Sequence, residues 1–308
     1  MLSVNNLKKS YGRLEVLKAI DFKVEEGKVF GFLGRNGAGK STTMNIVSGL
    51  IDHNGGNVKI YGKELKDNKK DLMQYIGYLP ENPVFYEYMS AEQYLKFIGN
   101  LSSYPTQKVK SRTNELLELV KLTDARNRKI GGFSRGMRQR LGLAVALYNH
   151  PKLLILDEPT SALDPEGRLE MVEMIENAKH EDMTVFLSSH ILSDVERVCD
   201  EVSILHEGKI LLNSSLEELQ KSHLQPIFDI ELEGDVQTAK KELEKMSWST
   251  KVESQKNGIS VYVSDFDLAK DALLKELVKT PVTITSYKIR KKTLEDIFIG
   301  MVSKNGDL

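Results

Sequence analysis

The amino-acid sequence predicts an α/β fold with a mixed sheet and an embedded helical block, followed by a small α+β domain. An apolar stretch at 29–33 leads into a glycine-rich loop and then into a helix-like segment at 40–50. A second apolar stretch, at 153–156, ends in two acidic residues. Beyond residue 226, strand-like and helix-like segments follow one another as β-α-β-β-α-β, a pattern typical of a ferredoxin-like split βαβ fold.

The first domain is predicted over residues 1–222, with its helical block at about 86–150. Its predicted strands are 2–8, 17–25, 29–33, 57–61, 76–79, 153–156, 184–188, 202–206 and 209–211. Its predicted helices are 40–50, 91–101, 108–120, 137–148 and 166–179.

The accessory domain is predicted over residues 223–308, after a polar stretch with a short helix at 214–225. Its predicted strands are 227–233, 248–254, 259–264 and 282–288, and its predicted helices are 235–246, 266–278 and 293–302.

Composition limits the classes of function. The 308 residues carry 43 Lys+Arg against 44 Asp+Glu, so a global basic surface for nucleic acid is not indicated. The single cysteine, Cys199, fits a reducing cytosol. The longest apolar stretch, 141–148, is far shorter than the roughly 20 residues of a membrane span. The N-terminus also lacks the pattern of a signal peptide.

The loop after the strand at 29–33 matches the phosphate-binding pattern G-x-x-x-x-G-K-[ST]. Its residues are Gly34, Arg35, Asn36, Gly37, Ala38, Gly39, Lys40, Ser41 and Thr42. Glycines allow backbone N–H groups to surround an anion, and the helix N-terminus adds partial positive charge. We expect Lys40 to reach the β- and γ-phosphates, Ser41 to bind Mg²⁺ and Thr42 to lie near the α-phosphate. A chance match, on the order of one in a hundred, is the alternative.

Asp157 and Glu158 follow the apolar stretch at 153–156. A carboxylate at a strand end can hold Mg²⁺ for phosphoryl transfer, which is the role expected of Asp157. Glu158 is expected to act as the general base on the attacking water. The alternative, a solvated acidic turn, is disfavoured because a phosphate loop is present in the same chain.

Further motifs occur in a characteristic order along the chain. They are FSRGMRQRL at 133–141, SALD at 161–164 and SSH at 188–190. Together with the two sites above, they resemble the nucleotide-binding domain of ATP-binding cassette (ABC) transporters over residues 1–215. The sequence YLPE at 78–81 is similar to the ABC-2 exporter branch, and TLEDIF at 293–298 resembles the end of the accessory domain found there.

The resemblance implies roles for individual residues. Tyr11 would stack on adenine, although it could instead pack on a neighbouring strand. Ser134 and Gly136, at a helix N-terminus, would donate to the γ-phosphate bound by the opposite protomer. Asp164 would face the partner's phosphate loop. His190 would contact the γ-phosphate and orient the base, although a lone histidine at a strand end is more often structural.

The sequence departs from the family pattern at four positions. Arg135 stands where Gly is usual, Met137 where Gln is usual, and Arg35 where Pro is usual. Glu81 stands where the family usually has a Gln that touches Mg²⁺ or the attacking water. We keep Glu81 as a metal-site residue, and a solvated turn residue is the alternative.

The resemblance implies an ATPase that uses ATP and Mg²⁺ and drives a separate integral membrane permease from the cytoplasmic face of the membrane. Two such domains, identical or related, would sandwich ATP head to tail. The cluster at Phe85, Tyr86, Tyr88 and Met89 would belong to the coupling surface, or would pack in the core. A soluble ABC ATPase of translation or DNA repair is the alternative, but the second cassette and coiled-coil insertion of such proteins are missing. The accessory domain would sense a ligand, clamp a dimer or cap the cassette.

Overall fold

The computed structural model describes residues 1–102, 104–161, 163–180, 183–222, 227–290 and 294–297. The chain divides into two compact units, Met1–Leu216 and Glu217–Leu308. This division falls before the predicted boundary between residues 222 and 223. None of the helices in the described ranges combines the length and the apolar composition that a bilayer-spanning segment requires.

The strands and helices of the cassette region agree with the predicted order, with some changes of bounds. The strands are β1 (Leu2–Tyr11), β2 (Leu14–Val24), β3 (Val29–Leu33), β4 (Gly55–Ile60), β5 (Lys63–Glu64), β6 (Ile76–Leu79), β7 (Leu153–Asp157), β8 (Thr184–Ser189), β9 (Glu201–His206) and β10 (Lys209–Ser215). The helices are α1 (Lys40–Val47), α2 (Leu65–Leu72), α3 (Ala91–Leu101), α4 (Thr106–Leu119), α5 (Arg135–Ala146), α6 (Pro165–His180) and α7 (Leu192–Val198). Helix α8 (Leu216–Ser222) follows β10 and begins at the division between the two units.

The six-stranded sheet of the first unit has the order β10-β9-β3-β8-β7-β6. Neighbouring strands from β9 to β6 are parallel, and β10 joins the edge in the antiparallel sense. Strand β8 lies between β3 and β7. The carboxyl ends of these parallel strands therefore meet at one edge, where ligands bind in open α/β sheets.

A second, antiparallel sheet has the order β2-β1-β4-β5. Side chains of both sheets share one apolar core, at whose centre Phe22 of β2 meets Phe32 of β3 and Phe186 of β8. The ring centroid of Phe22 lies 5.1 Å from that of Phe32 and 5.4 Å from that of Phe186. Burial of these rings fixes β3 and β8, the strands that precede the phosphate loop and His190.

The helical block between β6 and β7 consists of α3, α4 and α5. Helix α3 has the predicted bounds because a capping box of Ser90 and Gln93 starts it. Helix α5 begins at Arg135, earlier than predicted, because the Ser134 hydroxyl caps it by accepting a hydrogen bond from the Met137 amide at 3.2 Å. Helix α2 was not predicted, since only its end residues Leu65 and Leu72 are buried and the polar stretch between them shows no periodicity.

The second unit has the predicted β-α-β-β-α-β order. Its elements are β11 (Ile227–Gly234), α9 (Val236–Glu244), β12 (Ser249–Gln255), β13 (Gly258–Val263), α10 (Phe266–Leu277) and β14 (Val282–Arg290). The sheet order β12-β13-β11-β14, antiparallel throughout, confirms the split βαβ topology. Of the tail helix predicted at 293–302, residues 294–297 are helical and the others lie outside the described residues.

Candidate active site

The phosphate loop joins β3 to α1 through backbone conformations that need glycine. Gly39, the residue before α1, has φ 113°, in the left-handed region that side chains disfavour. A Cβ on Gly34 would lie 2.4 Å from the Leu205 carbonyl oxygen. The Ala38 carbonyl accepts a hydrogen bond from the Gly208 amide at 3.1 Å. The loop is thus anchored from the sheet side, while the first N–H groups of α1 lack intrahelical partners and form an anion site.

Lys40 is buried at the start of α1, with 5% of its surface exposed. Its Nζ donates a hydrogen bond to the Gly34 carbonyl at 2.7 Å and lies 3.1 Å from Glu158 Oε1. Little water screens the attraction between these two buried charges, but the loss of their hydration offsets much of it, so either charge is costly to leave without the other. The predicted phosphate-binding lysine therefore lies against the predicted base.

Asp157 ends β7 and meets hydroxyl groups from two other elements. Its Oδ1 accepts hydrogen bonds from Ser188 Oγ at 2.6 Å and from Ser41 Oγ at 3.2 Å. Burial raises the pKa of Asp157, and the hydrogen bonds from Ser188 and Ser41 oppose this rise. A buried carboxylate beside a hydroxyl suits a hard cation.

Ser41 and Asp157 therefore fit Mg²⁺, which takes oxygen ligands and is commonly held by one or two carboxylates together with substrate phosphates. The described part of the chain contains no group of three or more His, Cys, Asp or Glu side chains that could bind a metal by itself.

Glu158 has φ 49°, a left-handed conformation that is uncommon outside glycine. Its amide donates to Ser188 Oγ at 2.9 Å, which helps to hold that conformation. Its Oε2 lies 2.8 Å from His190 Nδ1. An ionised carboxylate only accepts, so Nδ1 carries the proton of this hydrogen bond. Glu158 Oε1 is in ion-pair contact with Lys40 Nζ, but among the described residues it is a buried acceptor with no hydrogen-bond donor.

A cavity of about 420 Å³ opens above these groups. It brings together the predicted residues Asn36, Gly37, Gly39, Lys40, Ser41, Thr42, Glu81, Glu158 and His190. Leu14 and Val16 of β2 also line it, and the sequence did not single them out. Their alternating pattern is that of any half-buried strand. Gly34 and Ala38 are buried beneath the loop, and Arg35 is exposed.

Tyr11 is not among the residues that line this cavity. Its ring is 51% exposed at the end of β1, with Lys9 Nζ 4.9 Å from the ring centroid. Leu14, its partner across the β1–β2 hairpin, does line the cavity. The hairpin thus carries Tyr11 near the site, and adenine stacking by Tyr11 stays a prediction.

Ser134, Gly136 and Asp164 line a different cavity, of about 450 Å³. The two cavities share no lining residue. The predicted signature residues are therefore not brought to Lys40 within one chain.

Ser188 is a site residue that sequence reasoning missed. It pairs in register with Asp157, donates to that carboxylate and accepts from the Glu158 amide. In the sequence, Ser188 is marked only by its position two residues before His190, and this position does not show that its strand pairs with the strand of Asp157.

Comparison with known families gives two matches. Residues 17–161 match the ABC transporter family, and residues 215–302 match the C-terminal domain of DrrA1-3-like ATP-binding proteins.

Individual relatives extend over both units. The uncharacterised ABC transporter ATP-binding protein YxlF of Bacillus subtilis is 37% identical, and the alignment covers 98% of this chain and 99% of that protein. The bacitracin transport ATP-binding protein BcrA of Enterococcus faecalis is 33% identical, with 99% and 97% covered. The solved structure of an ATP-binding subunit of an ABC transporter has a TM-score of 0.66 and 31% identity, and covers 72% of this chain and 92% of that chain.

We predict that Asp157→Asn makes the nucleotide-free protein more stable than the wild type at neutral pH. Because burial raises the pKa of Asp157, the folded state favours the protonated carboxyl, and ionisation above its ordinary value of 3.8 lowers wild-type stability. The amide does not titrate, so its advantage is smallest near pH 4 and grows as the pH rises from there through the raised pKa of Asp157. Thermal unfolding across this range measures it, with the exposed Asp124→Asn as control. A variant less stable than wild type at the upper pH would contradict the prediction.

We predict that Lys40→Ala lowers the free energy of unfolding by about 3 kcal/mol, because Glu158 is left buried without its cation. Adding Glu158→Gln should restore most of the loss, since an amide carries no charge. Urea unfolding measures both. The matched control is Lys23→Ala, which breaks an exposed pair with Glu25 and should change stability by less than about 1 kcal/mol. A double variant no more stable than Lys40→Ala would show that the unpaired charge of Glu158 is not the cause of the loss.

Proposed function

The chain belongs to the ATP-binding proteins of ABC transporters, and from this membership we propose that it closes on ATP with a second ATPase domain to drive a membrane permease. It is an ATPase, as its family and its assembled site indicate. The partner domain is a second copy or a related chain.

The separation of the two cavities is the observation that supports this proposal. One cavity holds the phosphate loop, the base and His190, and the other holds Ser134, Gly136 and Asp164. Neither is a complete site in one chain. Head-to-tail association would place the second cavity of each protomer over the first cavity of the other, and two ATP molecules would then be enclosed.

The chain's own groups supply the hydrolytic step. Glu158 accepts a proton from the attacking water while the oxygen of that water bonds to the γ-phosphorus. The bond between the γ-phosphorus and the β–γ bridging oxygen breaks, and this oxygen leaves with ADP. Lys40 and the loop amides stabilise the charge on the transferred phosphoryl group. His190 keeps the carboxylate of Glu158 oriented through its Nδ1–H. Bound Mg²⁺, held by Ser41 and Asp157, would neutralise phosphate charge.

The ion pair of Lys40 and Glu158 gives ATP a further role. A γ-phosphate competes with Glu158 for the Lys40 ammonium, so its arrival frees the carboxylate to act as a base.

The segment after β6 supports a coupling surface for the permease. Val84, Tyr86 and Tyr88 are 87%, 49% and 68% exposed, whereas Phe85 is 8% exposed and packs on Tyr94. Of the predicted cluster, Phe85 is therefore a core residue, Met89 is half-buried, and Tyr86 and Tyr88 are exposed together with Val84, which was not part of the prediction. Exposed apolar groups of this kind mark interaction sites.

We propose export as the direction and the cytoplasmic face of the membrane as the location. The proposed direction of transport rests on the resemblance to the ABC-2 branch. Two matches support it: one to DrrA-like C-terminal domains, and one to a bacitracin transport protein over both units. The relatives do not favour an ATPase of translation or DNA repair.

The test is Glu158→Gln. We expect ATP binding to persist, turnover to fall about 100-fold or more, and an ATP-bound dimer to accumulate, because closure no longer ends in hydrolysis. Phosphate release and size-exclusion chromatography with Mg·ATP measure these outcomes.

The exposed Glu118→Gln is the matched control and should behave as wild type. Lys40→Ala should abolish hydrolysis, because the γ-phosphate loses its main cation. Full-rate hydrolysis by Lys40→Ala would refute the site, and a Glu158→Gln protein with normal turnover and no dimer would refute the base assignment.

A further inference from the structure

A buried carboxylate outside both cavities joins three segments that carry residues of the proposed site. Asp194, in the first turn of α7, is 9% exposed and uses both of its oxygens. Oδ2 accepts a hydrogen bond from Thr160 Oγ1 at 2.7 Å, and Oδ1 accepts one from Arg168 Nε at 2.7 Å. Charged and short hydrogen bonds in a buried place are strong and directional.

Thr160 ties this carboxylate to the segment that carries the base. It lies two residues beyond Glu158 and is 3% exposed. The Glu158 carbonyl accepts a hydrogen bond from the Ser161 amide at 3.3 Å, so Glu158 and Thr160 belong to one turn. A shift of Thr160 therefore moves the backbone that holds Glu158.

Arg168 ties the same carboxylate to Asp164. The Arg168 amide donates to the Asp164 carbonyl at 2.9 Å, and its guanidinium also reaches Ser193 Oγ at 2.6 Å. Asp194 itself lies on the helix that begins directly after the segment of His190. The Asp194 carboxylate is thus the point at which these segments are fixed to one another.

We propose that Asp194 is a positioning residue that holds His190 and Glu158 in register and links both to Asp164. The inference rests on the proposed function, in which Asp164 faces the second protomer. Contact at Asp164 would then be transmitted through Arg168 and Asp194 to the base. Dimer closure would in this way set the geometry of the water-activating pair.

Asp194→Asn tests the proposal with little change of shape. The phosphate cradle of Lys40 and Ser41 does not contact Asp194, so we expect KM for ATP within about twofold of wild type while kcat falls about tenfold or more. A loss seen only in KM would overturn the proposal.

Glu176→Gln is the matched control. Glu176 of α6 binds Arg197 of α7 through two hydrogen bonds of 3.0 and 2.9 Å, so it joins the same two helices at a more exposed place. This variant should keep the wild-type kcat. An equal fall of kcat in Glu176→Gln and Asp194→Asn would show that only helix docking matters.

A double-mutant cycle with His190 separates positioning from a general structural effect. In a His190→Ala background, we expect Asp194→Asn to lower kcat by a smaller factor than in the wild type, because one member of the pair that it positions is already absent. Multiplicative losses would overturn the proposal.

Thr160→Val is a second variant that tests the same proposal if Asp194→Asn does not fold. It removes one hydrogen bond from the same carboxylate and should lower kcat in the same direction, with KM unchanged. An unchanged kcat would contradict the proposal. Active Lys40→Ala would instead refute the proposed function, so the two failures are distinguishable.

Discussion

The site depends on the parallel alignment of β3, β8 and β7, with β8 in the middle. In this register Leu33 pairs with Ser189, and Asp157 pairs with Ser188. The phosphate loop, the acidic pair and His190 all begin where these strands end. The apolar core of both sheets holds the strands in place, and this places the polar groups at their ends within hydrogen-bond distance of one another.

At this edge the chain keeps a strained and neutralised arrangement. Glu158 has a left-handed backbone, accepts from His190 and lies against the Lys40 ammonium. The left-handed backbone is unfavourable alone, and the hydrogen bond from the Glu158 amide to Ser188 Oγ compensates for it in part. Strain of this kind is common where a site must change state on binding its ligand.

The signature residues and the phosphate loop lie in separate cavities of the chain. Helix α5 presents Ser134 to a cavity separate from that of Lys40. Arg138, one turn into that helix, bonds Glu87 at 2.9 Å in the segment that carries the exposed tyrosines. Arg138 therefore links the helix of the signature loop to the segment of the proposed permease surface. The accessory unit, with its own sheet and core, has no role that these contacts specify.

The sequence by itself determined the phosphate loop, the acidic strand end, the order of the motifs and the split βαβ unit. These are local patterns, in which spacing and residue type fix the backbone. Tertiary structure alone decided that Lys40 pairs with Glu158, that Ser188 bridges Asp157 to the Glu158 amide, and that Asp194 joins the surrounding segments. Such contacts depend on which strand lies beside which. Because β8 enters between β3 and β7 from far along the chain, no local pattern in the sequence records its neighbours.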